Sequence, residues 1–263
     1  MKSLVHFTAI VFFAALAIHG LPTDNTALVS RQTNPLNPFL SIITNLPPVN
    51  ILVDGAAGGL TNLEGLLVPV VGGTNQTDLK DGKPCAQMTI IFARGTTEPG
   101  NMGVFAGPQL VQAVKNAMPG TSINAQGVEY TATIQGYLAG GGLDGTTSMS
   151  NFVNQALETC PQTKIVMGGY SQGGQVVHNT AKSLSADAMA KVSSVVIFGD
   201  PQSQTPVTGA ESKTLVICHS DDNICSNGDL ILPAHLTYGF DSPQAGQFVA
   251  KMANGNGTTM GRK

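Results

Sequence analysis

After residue 84, short apolar runs alternate with stretches of helical spacing along most of the chain. Residues 88–93 (Met-Thr-Ile-Ile-Phe-Ala) and 164–170 (Lys-Ile-Val-Met-Gly-Gly-Tyr) are almost continuously apolar and of strand length, as strands covered on both faces of a parallel sheet are. Residues 192–198 and 213–218 read the same way, and 123–130 is a further strand. Between them, Leu110, Val111, Val114 and Met118 recur at helical spacing within 108–118. Residues 148–157, 171–184 and 241–252 are helices by the same reasoning. Strands alternating with helices of this length build βαβ units. The expected fold is therefore α/β, a three-layer α/β/α sandwich around a mainly parallel central sheet.

The chain before residue 85 lacks this rhythm. Residues 1–20 carry Lys2, an apolar run over 9–17 and small residues at Ala15, Ala17 and Gly20. These are the features of a secretory signal peptide cleaved after Ala17 or Gly20. The run is too short to cross roughly 30 Å of hydrocarbon, so it is not read as an anchor. In 21–84, Pro35, Pro38, Pro47, Pro48 and Pro69 interrupt short apolar pieces. This stretch is expected to be an N-terminal extension with one or two short helices. Its start, 21–31, reads as a processed propeptide, and its apolar part, 60–71, as a strap or lid on the body. The domain proper is expected over 85–263.

Composition narrows the function classes. Only 11% of the 263 residues are charged, which argues against a disordered tail or a coiled coil. Thirteen basic against sixteen acidic residues give a net charge of −3 with no basic cluster, so no nucleic-acid partner is expected. No second apolar run reaches transmembrane length, and the C-terminus carries no lipid-anchor tail. The expectation is a secreted, extracellular monomer without a stable membrane anchor. Four cysteines, Cys85, Cys160, Cys218 and Cys225, suit two disulfides in that compartment, with three possible pairings. The nearness of Cys218 to Cys225 favours a local clip, leaving Cys85 for Cys160. No ligand spacing for a metal is found, and no cofactor is expected. Asn75-Gln76-Thr77 and Asn256-Gly257-Thr258 are sequons that make Asn75 and Asn256 glycosylation candidates.

The sharpest chemical feature is Gly169-Tyr170-Ser171-Gln172-Gly173, set between an apolar strand and a helix. A nucleophile elbow needs that context. Its serine sits in a strained strand-to-helix turn, its glycines let strand and helix approach, and the helix N-terminus favours developing negative charge. A serine hydroxyl is a weak nucleophile and needs a base. His178 lies two turns down the same helix and cannot reach it. His235 has Asp221, Asp222 and Asp229 before it, while His219 has only Asp187 and Asp200 in the interval after Ser171. Asp222 with His235 is the favoured pair, because Asp222 lies inside the Cys218–Cys225 loop; Asp200, at a strand end, is the runner-up acid. Ile134, Tyr137, Leu138, Leu230, Ile231 and Leu232 flank these residues and are expected to form an apolar substrate rim.

Three runs together carry a family resemblance. Residues 161–173 resemble the active-serine signature of fungal cutinases. Cys218-His219-Ser220-Asp221-Asp222-Asn223-Ile224-Cys225 resembles their second signature, with His235 ten residues beyond, and Phe92-Ala93-Arg94-Gly95-Thr96-Thr97-Glu98 resembles their oxyanion segment. Asn227 stands where the second signature usually has Gly. The resemblance implies an α/β-hydrolase fold and a serine esterase with Ser171 as nucleophile, Asp222 as orienting acid and His235 as general base. It also implies backbone N–H groups of Thr96 and Gln172 as oxyanion hole, the Thr96 hydroxyl as a third donor, and disulfides Cys85–Cys160 and Cys218–Cys225. The implied substrate is an insoluble polyester such as cutin or another acyl ester. An acetylxylan esterase of the same superfamily is the alternative enzyme, and a non-enzymatic binder on a dead hydrolase scaffold the alternative class.

Overall fold

The structure is a computed structural model and describes residues 51–52, 64–65, 67–69 and 71–255. The proposed signal peptide, the propeptide and Asn256 lie outside the described residues.

Beyond a two-residue strand, β1 (Ile51–Leu52), the central sheet is built from β2 (Met88–Ala93), β3 (Ile123–Gly127), β4 (Lys164–Tyr170), β5 (Val192–Phe198) and β6 (Thr214–Ile217). Its order is β3-β2-β4-β5-β6, and every neighbouring pair is parallel. The period of two along β2 explains the layering. Met88, Ile90 and Phe92 enter one apolar cluster, and Ile91 and Ala93 the other. On the first face Leu110, Val111 and Val114 of α1 (Gly107–Ala117) meet Ala245, Phe248 and Val249 of a last helix over Ser242–Ala253. On the second lie Met149 and Val153 of a helix over Leu143–Thr159 and Val176 and Val177 of a helix over Gln172–Ser183. Two faces of helices on one parallel sheet make the expected three-layer sandwich.

The departures from the sequence pattern are local. β3 stops at Gly127, because the chain beyond it turns toward Arg94, whose guanidinium donates to the Tyr130 carbonyl at 2.8 Å. The third-layer helix starts at Leu143 rather than 148; Leu143 is exposed and the residues 144–148 after it are polar or glycine, so apolar spacing gives no sign of this start. Asp144 organises that turn, accepting from Gly145 N–H at 2.9 Å and from Thr131 at 2.8 Å. Ile134–Leu138 forms a short helix capped by Thr133, whose hydroxyl accepts from Gly136 N–H at 3.0 Å. A further short helix spans Ala186–Lys191.

The chain just before residue 85 belongs to the packed body. Asp78 N–H donates to Ala125 O, Ala125 N–H returns a bond to Asp78 Oδ2, and Leu79 is buried in the second apolar cluster. Upstream, the described residues of 64–71 are helical, and Leu67 is fully buried in the first cluster. Disulfides join Cys85 to Cys160 and Cys218 to Cys225. Among the described residues no helix is long and apolar enough to cross a membrane.

Candidate active site

Ser171 follows β4 directly and begins the helix Gln172–Ser183. Its backbone stands at φ +55°, ψ −122°, a conformation that costs a non-glycine residue on the order of 1–3 kcal/mol. The surrounding backbone leaves no alternative. A Cβ on Gly169 would sit 2.4 Å from the Gly173 carbonyl, and one on Gly173 would sit 2.0 Å from the Ala93 carbonyl. The glycines flanking the serine are thus required by contact between β4, the following helix and β2. The turn is closed by Ser171 N–H donating to Phe198 O at 3.0 Å and Gly174 N–H to Ser171 O at 2.8 Å.

The neighbouring loop is fixed by a buried glutamate. Glu98 accepts from Gly95 N–H at 2.6 Å, Val104 N–H at 2.8 Å and Phe105 N–H at 2.9 Å, while Arg94 Nε donates to its carbonyl at 2.7 Å. Tyr130 hydroxyl donates to Arg94 O and so ties the loop from the other side. Thr96 is thereby held beside Gln172. The Thr96 hydroxyl donates to Gln172 Oε1 at 3.2 Å, and Gln172 Nε2 donates to Thr133 O at 3.1 Å. That hydroxyl proton is committed to the glutamine amide, so in this conformation it does not face the pocket as a further donor.

Asp222 and His235 come from the irregular chain after β6. His235 Nδ1 pairs with Asp222 Oδ2 at 2.8 Å, and each residue is only 2% exposed. Asp221 and Asp229 are exposed. Burial pushes the Asp222 carboxyl up, but the His235 contact, the Tyr238 hydroxyl (2.6 Å) and Ile224 N–H (3.0 Å) outweigh it and hold Asp222 below the ordinary carboxylate value. Tyr170 lies stacked on the His235 ring at 5.0 Å and its hydroxyl donates to the His235 carbonyl at 2.8 Å. Asn227, in the left-handed region at φ +59°, turns the loop after the second disulfide, where Asn is the commonest substitute for Gly. The runner-up acid has another partner: Asp200 Oδ2 pairs with His178 Nε2 at 2.9 Å, both fully buried.

Ser171 and His235 line one pocket with Thr96, Glu98, Tyr137, Ile231 and Glu64 among its other walls. No direct hydrogen bond joins Ser171 to His235 among the described residues; such contacts tighten when substrate enters. Of the six residues expected as a rim, Tyr137 and Ile231 line the pocket, whereas Ile134, Leu230 and Leu232 are half-buried outside it and Leu138 is exposed. Tyr137 hydroxyl donates to Gly228 O at 2.6 Å and latches the short helix to the loop after Cys225. Glu64, Glu98, Tyr170 and Tyr238 were not singled out by sequence. Glu98 stands inside the segment that resembles an oxyanion motif and Tyr238 three residues after His235, and those positions were the available signal.

Comparison with known proteins identifies the family. A family profile described as "Cutinase" matches residues 84–253. A cutinase of Botryotinia fuckeliana is 47% identical over 192 residues, 73% of this chain and 95% of the relative. One of Trichoderma harzianum is 39% identical over 255 residues, 97% of this chain and all of the relative. A solved Trichoderma reesei cutinase bound to a phosphonate inhibitor superposes with a TM-score of 0.65 at 36% identity, covering 87% of this chain and 96% of that one. An acetylxylan esterase structure reaches 0.52 at 26% identity over 65% of this chain and all of that one. Since the profile spans the whole sheet and the relatives align over most of their length, the chain belongs to the cutinase family and is a cutinase-type serine esterase, a carboxylic ester hydrolase.

Proposed function

We propose that the chain hydrolyses ester bonds of an insoluble aliphatic polyester of the cutin type, with Ser171 as nucleophile, His235 as general base and Asp222 as orienting acid. The observation that carries this reading is the 2.8 Å pairing of His235 with Asp222 beside a pocket shared with Ser171 on its strained turn. In the first step Ser171 Oγ attacks the ester carbonyl carbon while its proton passes to His235 Nε2. Asp222 keeps Nδ1 protonated and stabilises the imidazolium. The oxyanion is held by the N–H groups of Thr96 and Gln172; losing one such donor costs about 3–4 kcal/mol of transition-state stabilisation. His235 then protonates the departing alcohol, and a water activated by the same histidine releases the acid and regenerates Ser171. The reaction as written needs no metal or organic cofactor.

The apolar walls given by Tyr137, Ile231, Phe105 and Leu236 suit an acyl chain. Leu138, next to Tyr137 on its short helix, is 63% exposed and supports docking on an apolar polymer. The described residues of 64–71 serve as a lid, because Glu64 lines the same pocket. Two disulfides fit a secreted monomer, and exposed Asn75 fits glycosylation there. The test is phosphonate labelling of the full chain together with hydrolysis of cutin and of acetylated xylan. Stoichiometric labelling at Ser171 with release of cutin monomers is expected. Folded protein that is not labelled, or that removes only acetyl groups from xylan, overturns the reading.

A further inference from the structure

His219 follows the first cysteine of the acid loop and takes no part in the steps above. Its ring nonetheless touches the loop that carries His235 at three points. Nδ1 lies 2.9 Å from the carbonyl of Ala234, the residue before His235, and Nε2 lies 2.8 Å from Asp241 Oδ2. The ring stacks on Tyr238 at 4.2 Å with an interplanar angle of 17°.

The decisive point is that both nitrogens face acceptors. A neutral imidazole has one N–H and one lone pair, so it would leave a lone pair pressed against a carbonyl or a carboxylate. The Thr237 hydroxyl is otherwise engaged: Oγ1, 3.4 Å from Nδ1, donates to the same Ala234 carbonyl at 2.9 Å. Only the imidazolium satisfies both contacts. The groups acting on it are the carboxylates of Asp241 and Asp222 and the Tyr238 ring. Burial works against the charge, but the Asp241 carboxylate and the Ala234 carbonyl outweigh it and raise the His219 pKa above its ordinary value.

The contacts lead straight to the acid and base. His219 N–H donates to Tyr238 Oη at 3.0 Å, and that hydroxyl donates to Asp222 Oδ2 at 2.6 Å. The backbone of residue 219 thus aims the hydroxyl that orients Asp222, while its side chain holds both ends of the turn containing His235. We propose that His219, held as a doubly protonated imidazolium, is a positioning residue that fixes the 234–241 turn and, through Tyr238, the carboxylate of Asp222. The inference rests on the assignment of Ser171, Asp222 and His235 as the triad. The enzyme then contains two histidines with opposite requirements: His235 must be neutral to accept a proton, and His219 must be charged to hold it in place.

The test is kcat and KM for p-nitrophenyl butyrate against pH in the full, disulfide-intact chain and in His219→Gln and Asp241→Asn. The fraction of competent sites is counted by phosphonate labelling. In the unsubstituted enzyme kcat is expected to fall on the alkaline side as His219 loses its proton. Asp241→Asn should move that limb to lower pH by about one to two units, since an adjacent carboxylate supports the cation by that much. His219→Gln should lower kcat about tenfold at every pH, with KM little changed and the limb abolished. Labelled variants whose kcat and alkaline limb match the unsubstituted enzyme overturn the inference, whereas an unlabelled parent overturns the triad instead. Ring nitrogen resonances of the unsubstituted protein decide it without any variant. A doubly protonated His219 at neutral pH is expected, and a single-tautomer neutral ring excludes the proposal.

Discussion

The two halves of the site are built by different means. Ser171 is placed by backbone alone: a strand end, a helix start, a positive φ, and two glycines that allow three chain segments to touch. Asp222 and His235 are placed by side chains, the first just before one short 3₁₀ turn and the second within another, held by a disulfide, Tyr170, Tyr238 and His219. The first half borrows the cooperativity of the sheet, so only a change that alters the backbone should move it. The second half depends on bonds that titrate or can be reduced, so its geometry should be lost while the sheet remains intact.

The largest expected contrast comes from paired changes at the elbow. Ser171→Ala should lower kcat on the order of a millionfold with the fold unchanged, as loss of a triad nucleophile does. Ser171→Gly should be equally inactive yet more stable by about 1 kcal/mol in thermal unfolding, because Gly relieves the positive φ. Gly173→Ala, whose Cβ would meet the Ala93 carbonyl at 2.0 Å, should instead cost about 3 kcal/mol of stability. Equal stability in Gly173→Ala and the parent would show that the elbow is softer than its contacts indicate.

The two disulfides separate the halves next. Cys85–Cys160 closes a loop with a sequence separation of 75, and Cys218–Cys225 one of 7. Chain entropy alone assigns about 4.5 kcal/mol to the first and about 2.5 kcal/mol to the second. Replacing both members of the first pair by Ser should therefore lower the melting temperature more. Replacing the second pair should lower kcat more, since it releases the loop bearing Asp222. The reverse ranking in activity would remove the disulfide from the list of supports for the acid. Tyr238→Phe is a smaller change in the same half. It deletes one donor to Asp222 and should reduce kcat roughly tenfold while leaving phosphonate labelling complete.

This division also explains what could be read from sequence. β2, β4 and β5 are buried on both faces, so their apolar runs announce them, and the Gly-x-Ser-x-Gly turn is fixed by the elements it joins. The choice between Asp222 and Asp200 needed more. Asp200 stands at the end of β5 beside the elbow, and only the location of His178 beneath it shows that its carboxylate is already engaged. The short helix Ile134–Leu138 and the turn at Asp144 rest on caps rather than apolar spacing. The wall contributed by Glu64 belongs to a stretch whose prolines and glycines hide any period. Its position depends on Leu67 finding the core, which no local pattern encodes.

Glu64 supplies a test of whether that wall belongs to either half. It is 2% exposed, its Oε1 has no hydrogen-bond partner, and it shares the pocket with Ser171 and His235. Burial, with repulsion from Glu98 added and Arg94 opposing, raises its pKa to about 8 from an ordinary 4.5. A carboxyl whose folded value is raised favours the docked state in its protonated form. That contribution is complete below pH 4.5 and is lost as pH rises through about 8. Docking of 64–71 should weaken over this window by no more than about tenfold per pH unit, the limit for one proton. Glu64→Gln, which cannot ionise, should hold the segment docked. The expected result is equal proteolytic protection of residues 64–71 in parent and variant near pH 4, and greater protection in the variant near pH 9, with Ser171 labelling by a phosphonate slower in the variant there. If protection and labelling stay equal at both pH values, Glu64 is not ionising in the pocket, and the wall is a passive extension of the apolar face beneath it.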